Sequence, residues 1–391
     1  MKNTDEKLQY LAEKIRTEKT IKVAILGLGS VGNYLLNYLN SWDFDNIDIY
    51  IGSKSPEKAE KDVNISKVAA IIRNGKSKNI YIKTIDLNNV ESITSFMKDV
   101  SPDFIVNSSR VYTGLKYGSI SWNTIRAYGL WAPLSVRYIK NIMEAHEKAD
   151  SKVVVINTSY SDAVIPWLKS AGMRFPDFGS GNLNHLIPRI KMAVADDLNI
   201  NDMENIDVTL ATSHFHDVVI SKEGQDEGVP PLININYKEE KISPDMKKIW
   251  KNCAIAMPSD AQRNMMNASS NFEIIKKIVS ALKNKDKKVI HTPGVGGNIG
   301  GYPVIINGET ASINFKETYF SVKEMENCNS RSIYLDGIEE VKDGALFYTD
   351  ELLEKVKEQF DVQMPKSVKL SEAEQVAEFI IENIIEKRVG R

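Results

Sequence analysis

The sequence predicts an α/β protein, with a doubly wound parallel sheet in its first half followed by a mixed α+β region. Three observations carry this. Five β-rich runs, IKVAILG, IDIYIG, NIYIKTI, DFIVNSS and KVVVINTS, alternate with helical patterns, and each run is almost continuously apolar, as strands covered on both faces require. Beyond about residue 205 two β-like runs follow one another without an intervening helix, which points to antiparallel pairing. The chain is also 391 residues long, more than one hydrophobic core normally serves, so two domains are expected.

The elements follow in order. Residues 1–20 carry Leu8, Leu11 and Ile15 at spacings of three and four, the stripe of a short amphipathic helix acting as an arm or outer cover. Residues 21–165 form the first domain, with helices expected over 31–40, 56–73, 90–100 and 132–148 and an irregular stretch over 110–129. Pro and Gly cluster between Pro166 and Gly181, which marks the boundary. Residues 166–391 form the second domain. It holds a helix over 184–198, the runs IDVTLATSHFHDVVIS and PLININYKEEKIS as a ribbon, and a long helical region over 244–284. Strands at VIHTP, YPVIIN and ASINF and helices near 320–328, 350–359 and 371–387 complete it.

Composition excludes several function classes. Fifty Lys and Arg against 52 Asp and Glu leave a net charge of −2, so no single sign dominates the surface field and nucleic acid is not an expected partner. Cys253 and Cys328 have no paired spacing, which excludes a disulfide framework or a cysteine zinc site and fits a reducing compartment. The N-terminal residues are charged throughout, and no stretch reaches the ~18 apolar residues of a membrane span. A soluble cytoplasmic protein with no membrane partner is expected.

Gly27, Gly29 and Gly32 form G-x-G-x-x-G directly after the first strand and at the start of the first helix. In this setting the first glycine turns sharply, the second lets the backbone approach a pyrophosphate and the third lets helix and strand pack closely. The free N–H groups of the helix start, with its partial positive charge, hold the anion. Gly27, Gly29, Ser30, Val31 and Gly32 are therefore candidate contacts to a dinucleotide, and the fold class becomes a Rossmann sheet. The end of the second strand reads IYIGSKSPEK, with no carboxylate for the ribose hydroxyls that an NAD site normally offers. Ser53, Lys54 and Ser55 suit the additional 2′-phosphate of NADP, which is favoured over NAD; a solvated lysine at a helix start is the plainer alternative. Asn107 and Asn157 end the fourth and fifth strands and are candidates for the nicotinamide ribose, or ordinary turn residues.

Two further segments bring polar groups into core-like runs: GSGNLNHLIPR (Gly179–Arg189) and LATSHFHDVV (Leu210–Val219). Together with KVVVINTS and the later Gly228-Val229-Pro230, their order resembles the lactate and malate dehydrogenase family, from Ile21 to about Lys323. The resemblance implies that His214 is the acid/base, Arg189 the carboxylate-binding arginine, Asn184 the counterpart of the residue orienting the histidine, and Arg126 the arginine that closes over the substrate. It implies a homodimer or homotetramer and a small-molecule substrate. Hydride transfer to a carbonyl builds negative charge on oxygen, so a protonated histidine donates while an arginine stabilises.

Two departures from the family pattern matter. Asn184 stands where the family has Asp, so the carboxylate that raises the histidine pKa is missing, and the interval to Arg189 is longer. His185 is an equal partner candidate. His214 and His216 alternate with apolar residues, as on one face of a strand, and either is structural in the plainer reading. A His185, His214 and His216 metal site lacks a supporting carboxylate pattern, so no metal is expected. The glycine-dense run Pro293–Pro303 suits close ligand approach or a plain turn.

The expected function is NAD(P)-dependent hydride transfer on a small polar, carboxylate-bearing carbonyl or hydroxy compound. The alternatives are a saccharopine- or opine-type imine-forming reductase, and a redox-silent nucleotide-binding protein, which the missing carboxylate favours.

Overall fold

The computed structural model describes residues 3–112, 114–316 and 318–389. The first half runs α1 (Thr4–Arg16), β1 (Ile21–Leu26), α2 (Ser30–Asn40), β2 (Ile47–Ser53), α3 (Pro56–Asn74), β3 (Asn79–Thr84), α4 (Val90–Val100), β4 (Phe104–Asn107), α5 (Gly114–Ile120), α6 (Ala132–Lys148), β5 (Val154–Asn157), α7 (Ser161–Ser170) and β6 (Phe178–Gly179). The strands pair in parallel in the order β3-β2-β1-β4-β5-β6. Strand order reverses between β1 and β4, which opens a crevice at their carboxyl ends. β4 and β5 are buried along their whole length, which explains their unbroken apolar sequence.

The second half runs α8 (Asn182–Leu198), β7 (Ile206–Ala211), α9 (His214–Glu223), β8 (Leu232–Tyr237), β9 (Glu240–Ile242), α10 (Met246–Cys253), α11 (Asn264–Asn284), β10 (Lys287–Pro293), β11 (Gly301–Asn307), β12 (Ser312–Asn314), α12 (Val322–Leu335), β13 (Ile338–Lys342), β14 (Ala345–Tyr348), α13 (Asp350–Phe360), β15 (Ser367–Lys369), α14 (Ala373–Ile380) and α15 (Glu386–Val389). Its strands form three antiparallel sheets, β7-β8-β9, β10-β11-β12 and β13-β14-β15. A Rossmann sheet followed by a mixed α+β region is thus the observed architecture.

Several elements differ from the sequence reading. The parallel sheet has a sixth strand, β6, taken from beyond residue 165. α7 runs into the Pro and Gly cluster read as a boundary, with Pro166 inside the helix. The largest correction is α9. HFHDVVIS reads as the end of a ribbon strand, yet Ser213 takes an extended conformation as N-cap, Asp217 lies in the first turn, and Phe215, Val218 and Val219 bury at helical spacing. Packing overrides the β-propensity of Phe and Val here, so His214 and His216 do not share a strand face.

Both faces of the sheet are covered by elements from the two halves of the chain. On one, Ile139 and Met143 of α6 share a core with Leu352, Val356 and Ile380 from the C-terminal helices. On the other, Leu8, Leu11 and Ile15 of α1 join Leu35 of α2 and Ile275 and Ile278 of α11. The α1 helix is anchored in its own chain by a buried Lys7–Asp177 ion pair at 2.7 Å. A third core lies between α8, β7, α9 and α10. No helix among the described residues is long and apolar enough to cross a membrane.

Candidate active site

A cleft of about 660 Å³ runs along the carboxyl edge of the sheet from the glycine turn to α9. At its first end Gly27 has φ +93, and a Cβ there would stand 2.0 Å from Ser109 Oγ; a Cβ on Gly32 would stand 2.2 Å from the Gly27 carbonyl oxygen. Gly29 differs, since nothing lies within 4 Å of the place its Cβ would take. Its backbone faces open space, as close approach of a pyrophosphate requires. Ser30 opens α2 and lines the cleft with Val31, and Ser30 Oγ accepts from Asn264 Nδ2 at 2.5 Å. These residues fit a dinucleotide phosphate by shape and by the N–H groups at a helix start.

Gly52, Ser53 and Lys54 line the same end. Ser53 Oγ accepts from Ser55 N at 3.1 Å, forming a local turn, and Ser55 is not among the lining residues. Lys54 Nζ lies 3.5 Å from Asp86 Oδ2, and Asp86, just beyond β3, also lines the cleft. The end of β2 itself carries no carboxylate; Asp86 reaches the same end of the cleft from beyond the neighbouring strand β3.

Asn107 and Asn157 are fully buried and do not line the cleft. Asn107 Nδ2 donates to Asn157 Oδ1 at 2.9 Å, and Asn157 Nδ2 donates to Ser159 O at 2.9 Å and to Ser161 Oγ at 3.0 Å. Their amides tie the ends of β4 and β5 together, which corrects the reading of them as ribose contacts. Thr158, Ser108 and Ser109 face the cleft in their place.

At the other end His214, the first residue of α9, projects into the cleft. Its Nδ1 is 2.9 Å from Asp336 Oδ2, at the C-terminal end of α12. Asp336 is fully buried and also accepts from Tyr160 Oη at 2.8 Å and Tyr128 N at 2.7 Å. The rings of Tyr128 and Tyr160 pack edge-on against His214. Burial opposes a charge on His214, but the charge and hydrogen bond of Asp336 outweigh it and hold the pKa above the ordinary histidine value. Asp162 Oδ1 accepts the His214 backbone N–H at 3.0 Å, and burial raises its carboxyl to about 6 against the opposing His214 charge.

The carboxylate missing at Asn184 is therefore supplied by Asp336. Asn184 itself donates from Nδ2 to Ser270 Oγ at 2.9 Å and does not line the cleft. His185 does line it, with Nδ1 3.8 Å from Asp217 Oδ2; burial lowers its pKa to about 3. His216 is buried with Nδ1 2.5 Å from Ser332 Oγ and Nε2 3.2 Å from the Asp226 carbonyl, so it braces α9 from behind.

Neither expected arginine reaches the cleft. Arg189 is 4% exposed, donating to the Cys253 carbonyl at 2.9 Å and contacting Met257 Sδ at 3.0 Å. It ties α8 to α10 because its helical position turns inward. Arg126 is held between Glu223 and Glu227, with its Nε 2.9 Å from Glu223 Oε1 and its Nη1 3.0 Å from Glu227 Oε1. Two carboxylates neutralise it, hold its pKa above the usual arginine value and fix it over Trp122. The cleft is lined by Lys54, Arg110, Lys222 and Arg263, of which Lys222 lies on α9 with His214 and Arg263 acts on Asp217 and His185. The Arg263 guanidinium makes no hydrogen bond or ion pair among the described residues. Sequence reasoning missed it because no motif surrounds it. The glycine-dense run forms the turn between β10 and β11, where Lys169 Nζ donates to the Gly296 carbonyl at 2.8 Å.

No protein-family model and no curated protein matches the sequence. Solved structures do. Malate dehydrogenase from Cryptosporidium parvum superimposes with a TM-score of 0.53 at 13% identity, covering 80% of this chain and 96% of that one. Malate dehydrogenase from Aeropyrum pernix gives 0.53 and 13%, covering 80% and 97%. At such identity the likeness concerns the fold alone, and the remote resemblance to the lactate and malate dehydrogenase family read from the sequence is borne out at that level: this chain is built on the malate dehydrogenase fold.

Proposed function

We propose that this protein is a nicotinamide-dependent oxidoreductase acting on a small polar, carboxylate-bearing carbonyl or hydroxy compound. One observation carries the reading: the His214–Asp336 pair opens into the same cleft as the glycine turn. The bound nicotinamide would supply or accept hydride. His214, with Nδ1 held by Asp336, presents Nε2 to the oxygen of the reacting carbon and holds the proton that moves to or from it. Arg263, with Lys222 beside it, receives the carboxylate in place of Arg189 and Arg126, since a guanidinium without an internal partner is ready for bidentate contact. Tyr128 and Tyr160, packed edge-on against the ring, exclude water from the histidine.

The Asp336 carboxylate beside His214 supports this reading over a redox-silent protein, because it supplies the residue type that Asn184 lacks. For the cofactor, Ser53 and Lys54 support NADP over NAD, with Asp86 close to Lys54 as the competing feature. Titration of the protein with NADPH and NADH, followed by fluorescence, tests this. Tighter NADPH binding is expected, preference for NADH transfers the role to Asp86, and binding of neither removes the oxidoreductase reading. His214→Ala should keep cofactor affinity and lose turnover.

We also infer a homo-oligomer. The α1 helix packs within its own chain, but α3 exposes Ile65, Val68, Ile71 and Ile72, with Ile72 80% exposed. Such a stripe is more apolar than a solvated helix face normally is. A monomer mass by light scattering overturns this.

A further inference from the structure

Asp217 follows His214 by three positions on α9, so the two side chains leave the same helical face with Cβ atoms about 5–6 Å apart. Both line the cleft. Asp217 is 6% exposed, yet no lysine or arginine reaches ion-pair distance of its carboxylate among the described residues. Its contacts are the Ser221 hydroxyl at 3.4 Å and His185 Nδ1 at 3.8 Å, the latter too long for a hydrogen bond. His185 is itself 8% exposed and lines the cleft, and its Nε2 has no hydrogen-bond partner among the described residues. Burial raises the Asp217 carboxyl to about 6, and the charges of His214, Arg189 and Arg263 favour its ionised form only from a distance; Arg189 is moreover spent on the Cys253 carbonyl.

A buried carboxylate without a close cation is costly unless a ligand completes it. The cleft also contains Asp162, and Asp336 stands directly behind His214. An acid carrying only negative charge would meet these groups with like-charge repulsion on this side while satisfying Arg263 and Lys222 on the other. A ligand bearing both signs satisfies both sides.

We propose that the compound accepted here carries an ammonium group as well as a carboxylate, with Asp217 taking the ammonium and Arg263 the carboxylate. This rests on the reading of the cleft as an oxidoreductase site. The separation of Asp217 from His214 puts the ammonium on a carbon next to, or one beyond, the carbon whose oxygen His214 serves. The His185 ring, with Nδ1 3.8 Å from the same carboxylate, narrows the space to a primary amine or a singly substituted one.

Matched pairs of stable hydroxy acids test this by calorimetric titration into the protein loaded with the oxidised form of whichever cofactor binds. The pairs are racemic isoserine against lactate, and 4-amino-2-hydroxybutanoate against 2-hydroxybutanoate. The amine-bearing member of each pair should bind at least about tenfold tighter, and Asp217→Asn should bring each ratio below about twofold. Equal affinities, tighter binding of the amine-free acids, or binding of none of the four by the unaltered protein overturns the proposal. Failure of both cofactors to bind overturns the oxidoreductase reading separately, since the four acids are then titrated into the cofactor-free protein and the same ratios are read.

Discussion

His214 Nδ1 and Asp336 Oδ2 lie 2.9 Å apart although 122 positions separate them in the chain. Tyr160 Oη and the Tyr128 N–H hold the same carboxylate from two other directions, so it cannot turn away from the ring. A carboxylate fixed in this way sets the tautomer and orientation of the imidazole and leaves Nε2 to the cleft.

Replacing Asp336 by Asn should therefore lower the His214 pKa and reduce turnover by about 10²-fold or more. Reduction needs the protonated ring, so kcat/KM falls as pH rises through the His214 pKa, and in Asp336→Asn that fall should begin at lower pH. A pH profile of kcat/KM for both proteins reads this. Coinciding profiles would separate Asp336 from the chemistry.

The glycine turn separates folding from binding. Gly29 has φ −77 and open space around it, so Gly29→Ala should melt like the unaltered protein while a methyl group obstructs the phosphate. Gly27→Ala places a Cβ against Ser109 at a positive φ and should destabilise by about 1–3 kcal/mol. Thermal melts and cofactor titrations of the two variants give opposite patterns if the turn is a phosphate site; unaltered cofactor affinity in Gly29→Ala would argue against it.

Among the arginines, Arg263→Ala should raise the substrate KM about 10–100-fold while the melting temperature stays near its starting value. Arg189→Ala should do the reverse, because it removes a buried charge-assisted hydrogen bond to the Cys253 carbonyl, which keeps only the Ile255 N–H among the described residues, and costs about 1.5–3 kcal/mol. Steady-state kinetics alongside denaturant unfolding distinguishes them, and a large KM effect in Arg189→Ala alone would restore the family-derived role to that residue.

Acid should weaken the fold through buried histidines. Burial lowers the pKa of His146 to about 4 and of His291 to about 3, below the unfolded value of about 6.5. Between these values the unfolded chain binds protons that the native state does not, so their contribution is complete above about pH 6.5 and is lost as pH falls through the folded pKa values. Asp162 and Asp217 act in the opposite sense. Burial raises each to about 6, so their ionisation costs stability as pH rises from about 3.8 through 6. NMR titration should find His146 and His291 still neutral at pH 5; if either titrates near 6.5, burial is not controlling it.

The parallel sheet and the glycine turn are legible in the sequence alone. Those features are local: an apolar run bounded by turns is legible as a buried strand, and three glycines at fixed spacing between strand and helix encode their own geometry. Tertiary structure decided which polar side chains meet. Asn157 has the right position at the edge of the sheet, yet its amide is consumed by Ser159 and Ser161. Arg126 and Arg189 have the right charge, but Glu223, Glu227 and the Cys253 carbonyl take their donors. Asp336 lies beyond the stretch whose order resembles the dehydrogenase family, and Arg263 sits in no motif. Burial demands a partner for every charge but sets no limit on its distance along the chain, and that is why the residue completing His214 could be found only in the folded molecule.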